Sequence, residues 1–375
     1  MAALRDGRIR PAYRRRAQRP GVPVPRYRKK RDRSPVAVLV NPVPLSILDL
    51  SPVAAGTTAG QALRQTTQFA RRAEELGYQR FWVAEHHNSP SIASSAPAVL
   101  IAHLTASTQT IRVGSGGVML PNHAPLVVAE QFGTLEALHP GRIDLGIGRA
   151  PGTDQRTALA LRRTVEGLSA EQFPAELITL INFFSGADEQ TGILAMPGRG
   201  DMPAIWLLGS SDYSAQLAGY LGLPFSFAHH FSAANTEPAL AAYRATFEPS
   251  QWLDKPYAML AVAAICADTD ERAQYLAGPS RLSFIRRRTG PPQPLPTPEE
   301  AAAYPYTSLD DEIARQRFAD QAIGSPETVQ RQLSALLERT EADELMLTTQ
   351  VYDIGDRIHS LELVADKVAS GLTRP

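Results

Sequence analysis

A single cysteine, Cys266, in 375 residues excludes an internal disulfide and any metal site built from several thiolates. No apolar run approaches the roughly 18 residues that a membrane helix needs, so a soluble, cytoplasmic protein is expected. No GxGxxG string stands behind the first expected strand, which removes the dinucleotide-binding fingerprint, and the HExxH spacing of zinc helices is also missing. Net charge is zero, but that balance conceals a division. Residues 1–35 hold thirteen Arg and Lys against Asp6 and Asp32, about +11, so the rest of the chain carries about −11. An acidic main body argues against a nucleic-acid-binding surface on it. The leader itself, RRRAQRPGVPVPRYRKKRDR, has no apolar stretch long enough for a signal peptide and cannot bury enough surface to fold alone. It reads as a disordered tail ahead of a folded domain at 36–375, with a role at a nucleic-acid or membrane surface as the alternative.

What the folded part does have is regular alternation. Thr110 to Gly152 reads strand, turn, helix, turn, strand: β-branched Ile111, Val113 and Val118, a helical run from Leu126 to Leu138, the turn pair Pro140-Gly141, and apolar Ile143 to Ile147. The same pattern extends both ways. Eight strands are expected at 44–50, 80–84, 111–119, 142–148, 203–208, 223–228, 257–266 and 344–349, with helical stretches in all seven gaps and one after the last. Glycine or proline marks several helix ends, such as Gly77 after 61–76 and Pro326 in the first turn of a helix opened by Gly324-Ser325. That count fits a single (β/α)8 TIM barrel with loop insertions better than an open sheet. The loops at 150–171 and the proline-rich 288–307 are the expected insertions that shape the rim.

Polar residues gather where the strands end. Glu85, His86, His87 and Asn88 follow the second strand, and in a parallel barrel such a cluster faces the ligand-binding rim. Neighbouring histidines on extended chain point apart, so hydrogen bonding to a ligand or proton transfer is favoured over a metal; a purely structural pair is the other reading. Gly116-Gly117 and Gly146 to Gly148 let backbone approach a ligand closely, and Arg149 stands where a guanidinium can fork onto a phosphate or carboxylate, or serve as a plain surface charge. Gly209-Ser210-Ser211-Asp212-Tyr213-Ser214 joins a strand to a helix N-terminus, an anion site by its free N–H groups, with Ser211 or Asp212 as a simple N-cap the alternative. His229-His230 end the sixth strand.

With these residues laid out, the chain resembles the bacterial luciferase-like, flavin-dependent alkanal monooxygenase family from roughly Pro44 to Val368. The carriers are GYQRFWVAEHH, TIRVGSGGVMLPNHAPLVVAEQFGTLEALHPGRIDLGIGRAPG, WLLGSSDYSAQLAGYLGLPFSFAHHF and GSPETVQRQLSALLERTEADELML. The resemblance implies a barrel that uses reduced FMN, supplied by a separate flavin reductase, and O2 to oxygenate a small organic substrate. It implies a non-prolyl cis peptide at Gly116-Gly117 beneath the flavin ring. Gly148, Arg149, Gly209, Ser210, Ser211 and Tyr213 match positions that hold the flavin and its phosphate. His86 matches the active-site histidine, flanked by Glu85 and His87. Gly148 replaces the reactive cysteine of luciferase itself. A homodimer through the helices near 61–76 and 125–139 is also implied, and no metal. The alternatives are a deazaflavin-dependent hydride-transfer oxidoreductase, which would leave oxygen unconsumed, and a non-catalytic flavin-binding protein.

Overall fold

The computed structural model describes residues 42–150, 152–162, 172–186 and 192–374. The expected basic leader at 1–35 and part of the rim loop at 150–171 lie outside them. Nine strands form: β1 (Leu45–Asp49), β2 (Arg80–Val83), β3 (Arg112–Met119), β4 (Ile143–Gly148), β5 (Ala204–Gly209), β6 (Phe225–Phe227), β7 (Ala258–Cys266), β8 (Ala322–Gly324) and β9 (Glu344–Thr348). Eight of them close a parallel barrel in the order β1 to β7 and then β9, which returns to β1. The eight expected strands are these eight.

The ninth, β8, was not anticipated. Three residues are too few to show a periodicity. It exists because β7 is nine residues long: Met259–Ala263 pair with β9, which leaves Ala264–Cys266 to pair with Ala322–Gly324. Two helices, Pro298–Ala303 and Ser308–Phe318, lie in the same long connection. The expected loop after Arg149 also contains a short helix, Gln155–Arg162.

Strand residues alternate between two packings. Outward side chains such as Ile47, Phe81, Val113, Leu145 and Leu207 join helix residues such as Phe69, Leu104 and Phe132 in the main core. Inward ones form a smaller cluster of Leu48, Trp82, Trp206, Met259 and Met346, with the Trp82 and Trp206 rings edge to face at 5.4 Å. Below that apolar layer, near the start of the strands, the barrel is closed by charge. Arg80 bridges Asp144 (2.9 Å) and Glu344 (2.9 Å), both carboxylates being fully buried. Arg112 also bonds Asp144, at 2.6 Å, and Trp82 Nε1–H donates to the same carboxylate. Ser46 and Tyr257 donate to Glu344.

Helix ends follow the sequence signals. Thr58 caps the helix Ala59–Glu75 in a capping box with Gln61, and Gly77 (φ +80°) takes the left-handed position after it. Ser325 caps Pro326–Thr340.

Candidate active site

Above the tryptophan layer the inward positions become small: Ala84, Gly116, Gly146, Ala228, Ala261 and Ala263. Side chains that would fill an eight-stranded barrel are thus missing at its mouth, and a cavity of 590 Å³ opens there. Its floor depends on glycine. A Cβ on Gly117 would lie 2.8 Å from the Gly146 carbonyl oxygen and collide with Leu208, and one on Gly146 would run into the Ser115 carbonyl. The β3/β4 register shifts between Gly116 and Val118, and the Gly116–Gly117 peptide is cis.

Three imidazoles line the cavity: His86, His87 and His230. Each has one ring nitrogen beside a protein acceptor. His86 Nδ1 lies 3.3 Å from the Gly152 carbonyl oxygen and His230 Nδ1 3.0 Å from that of Ala261. A carbonyl only accepts, so these nitrogens carry the proton and Nε2 is the basic atom of each neutral ring. Burial pushes the His86 pKa down, helped by the charges of Arg287 and His87, and pushes His230 down to about 4. Both rings are therefore neutral near pH 7.

Glu85 does not stand on the wall. Between Ala84 and His86, which both line the cavity, the alternation of extended chain turns it outward, and it is fully buried. There it accepts hydrogen bonds from His87 Nε2–H (2.9 Å), His123 Nε2–H (3.0 Å), Asn122 Nδ2–H (3.0 Å) and the Met119 N–H (3.0 Å). Desolvation opposes its charge, yet the hydrogen bond and charge of His123, then His87 and Asn122, hold its pKa below the usual glutamate value. The expected catalytic contact of Glu85 is thus corrected to a supporting place behind His87.

The anion-binding candidates fall at one side. Gly148 and Arg149 end β4, and β4 pairs with β5, which ends in Gly209; Gly148, Arg149, Gly209, Ser210 and Ser211 all line the cavity. Ser211 takes the N-cap position of the helix Asp212–Tyr220 without a side-chain capping bond. Tyr213 stands beside that corner, not on the cavity wall. It is 42% exposed, with the Arg149 guanidinium 4.7 Å from its ring centre. A ring placed there can orient the arginine.

Several wall residues went unrecognised. His230 is one, although its place at a strand end carried the same signal as His86. Its neighbour His229 turns away, with Nδ1 2.7 Å from Thr236 Oγ1 and Nε2 3.3 Å from the Asp320 carbonyl. Arg287 and Arg317 are the others, and they sit on helices far from the strand-end motifs. Among the described residues no group of three or more His, Cys, Asp or Glu could hold a metal ion, and no helix is long and apolar enough to cross a membrane.

Known proteins share this architecture. The family described as luciferase-like monooxygenase matches residues 43–344. A luciferase-like monooxygenase of Escherichia coli strain K12 is 45% identical over 324 residues, 86% of this chain and 96% of its own length. The N-acetyl-S-alkylcysteine monooxygenase of Bacillus subtilis strain 168 is 35% identical over 331 residues, 86% of this chain and 98% of its own. The crystal structure of apo-MsnO8 superposes with a TM-score of 0.81 at 38% identity, covering 89% of this chain and all of that one. Fold alone is shared with two more distant structures. One is the oxygenating constituent of 3,6-diketocamphane monooxygenase of Pseudomonas putida in complex with FMN (21% identity, TM-score 0.68, 89% and 99% covered). The other is a coenzyme F420-dependent tetrahydromethanopterin reductase of Methanopyrus kandleri (14%, 0.62, 89% and 100%). On the family match and the identity of its relatives, the chain belongs to the luciferase-like monooxygenases, oxidoreductases that incorporate molecular oxygen.

Proposed function

We propose that this protein is a cytoplasmic, two-component enzyme that takes reduced FMN from a separate reductase and uses it with O2 to oxygenate a small organic substrate. One observation carries the reading: a single cavity unites a glycine floor with no room for side chains, an anion-binding corner of Arg149 and the Ser210-Ser211 turn, and neutral His86. A flat tricyclic ring with a phosphate tail fits that set. Arg149 and the serine turn would hold the phosphate, and Gly116, Gly117 and Gly148 would lie against the ring. When bound, reduced flavin supplies the electrons for oxygen chemistry. The chain's own contribution is to bind, to exclude water with walls such as Leu50 and Leu208, and to accept or return a proton at His86 Nε2. Glu85 acts through His87, fixing its ring by the Nε2–H bond.

The test is oxygen uptake. Protein-bound reduced FMN, mixed with oxygenated buffer, should consume O2 and be reoxidised at least tenfold more slowly than free reduced FMN. His86→Gln should change the rate of that reoxidation by roughly a hundredfold, the lower end of general acid–base contributions, and remove its pH dependence. Binding of the deazaflavin coenzyme F420 in preference to FMN, with hydride transfer and no oxygen consumed, would replace this reading by the hydride-transfer one. FMN binding with no effect on reoxidation would favour a storage role.

A homodimer completes the proposal. Two helices, Pro97–Ser107 and Pro125–Leu138, expose Val99, Val127 and Leu138 at 71%, 44% and 67%, whereas Ala59–Glu75 exposes no large apolar side chain. The first two are therefore the better dimer face. Gel filtration at micromolar concentration should give a dimer, and Val99→Glu with Leu138→Glu a monomer; wild-type protein eluting as a monomer would end the idea.

A further inference from the structure

One end of the cavity carries positive charge that neither the fold nor the flavin site uses. The helix Asp270–Thr289 turns Ala277, Ser280, Phe284 and Arg287 to the cavity at spacings of three and four, a single stripe of its surface. The helix Ser308–Phe318 brings Arg317 to the same cavity. Arg317 Nη1 donates to the His230 carbonyl oxygen at 2.7 Å, and its guanidinium lies 5.5 Å and 5.9 Å from the ring centres of Phe284 and Phe318. These contacts hold the fork in place without neutralising it.

No carboxylate among the described residues pairs with either arginine. Desolvation lowers the pKa of both, and the charge of Arg287 lowers that of Arg317 further. The one carboxylate of the described cavity wall, Asp154, is occupied by Asn88 and Thr157. Two like charges facing one cavity, half-buried Arg317 and the more exposed Arg287, repel each other, and that repulsion becomes attraction when an anion enters between them. The cavity wall also contributes apolar Ile265, Pro292 and Leu295, alongside the polar side chains Ser280, Ser283 and Gln321. Arg149 belongs to another part of the rim, at the end of β4 and against Tyr213.

We propose that Arg287 and Arg317 form a second anion site that holds the acid group of the organic substrate, which is therefore a carboxylate with an apolar body. Calling that ligand the substrate rests on the flavin-oxygenation reading; the site itself does not. The acid group would sit between the two guanidiniums, and the apolar part would extend along the wall toward His86, whose protonation Arg287 already disfavours.

Calorimetric titration tests this, first on protein saturated with oxidised FMN and again on flavin-free protein. The probes are hexanoate, methyl hexanoate and hexanesulfonate. Hexanoate should bind roughly tenfold or more tightly than its ester, as expected for a charge-assisted pair. Arg287→Gln and Arg317→Gln should each remove most of that preference while leaving ester and FMN affinity unchanged. Arg287→Lys should keep part of it. By solvent accessibility Arg287 is exposed, so the desolvation acting on its charge is only partial, and Arg287→Gln is expected to fold and decides the matter if Arg317→Gln proves unstable. Equal binding of acid and ester, an unaltered preference in Arg287→Gln, or a parallel fall in FMN affinity would overturn the proposal. Tighter binding of hexanesulfonate than hexanoate would overturn its carboxylate assignment. The acid preference surviving in protein that does not bind FMN would uphold the site while sinking the flavin reading.

Discussion

Arg80→Ala should destabilise the barrel by about 3–5 kcal/mol, the cost typical of breaking a buried ion pair by removing one partner. Arg80 is 11% exposed at the side chain, and Asp144 and Glu344 are fully buried, so the lost cation leaves charge that water cannot reach. Burial works against the Arg80 charge, but the two carboxylates outweigh it and hold its pKa above the usual arginine range. The carboxylates differ in what remains to them. Asp144 keeps Arg112 and the Trp82 N–H, whereas Glu344 keeps only neutral donors, Ser46 and Tyr257. Glu344 is therefore the residue stranded by the substitution. Glu344→Gln, which loses charge but keeps a hydrogen-bonding group of the same shape, should cost clearly less. Denaturant unfolding of both variants measures the difference, and a loss below about 1 kcal/mol in Arg80→Ala would mean that water enters the barrel floor.

Arg149→Ala should weaken FMN binding about 10- to 100-fold, corresponding to the roughly 1.5–3 kcal/mol of hydrogen bonds to a charged group. Its guanidinium already lies over the Tyr213 ring, so little conformational freedom is lost when a phosphate arrives. Arg149→Lys should fall between wild type and alanine, since a lysine keeps the charge but not the planar fork. Riboflavin, which lacks the phosphate, should bind wild type and Arg149→Ala alike. Fluorescence quenching of the flavin reads all of these. Equal FMN affinity in wild type and Arg149→Ala would move the phosphate site elsewhere on the rim, with Arg287 and Arg317 the next candidates.

Much of the architecture was legible because it rests on local patterns. Eight apolar strands separated by helical periods, with Gly77 and Pro326 at the expected ends, point to a closed parallel barrel before any coordinates exist. A parallel barrel then places every strand end on one rim, so Gly116-Gly117, Arg149 and His86 could be assigned to one site from their order alone. The strand β8 escaped because its pairing depends on the length of β7, a partner more than fifty residues away. The helix Ser308–Phe318 escaped because it follows a proline-rich stretch that reads as loop.

The sequence by itself determined the barrel, the rim, the glycine floor and the family, since each depends on residue order and spacing that any fold of this class must respect. Only the tertiary structure decided which polar residues meet. It turned Glu85 behind the wall and His229 away from it, set Tyr213 against Arg149 instead of on the cavity wall, and brought His230, Arg287 and Arg317 into the same cavity as His86. The physical reason is that side-chain direction at a strand end follows one step of alternation, which a chain leaving the strand keeps or breaks according to its packing. Charges carried on helices reach the rim only through the angles at which those helices dock, and no local pattern encodes those angles.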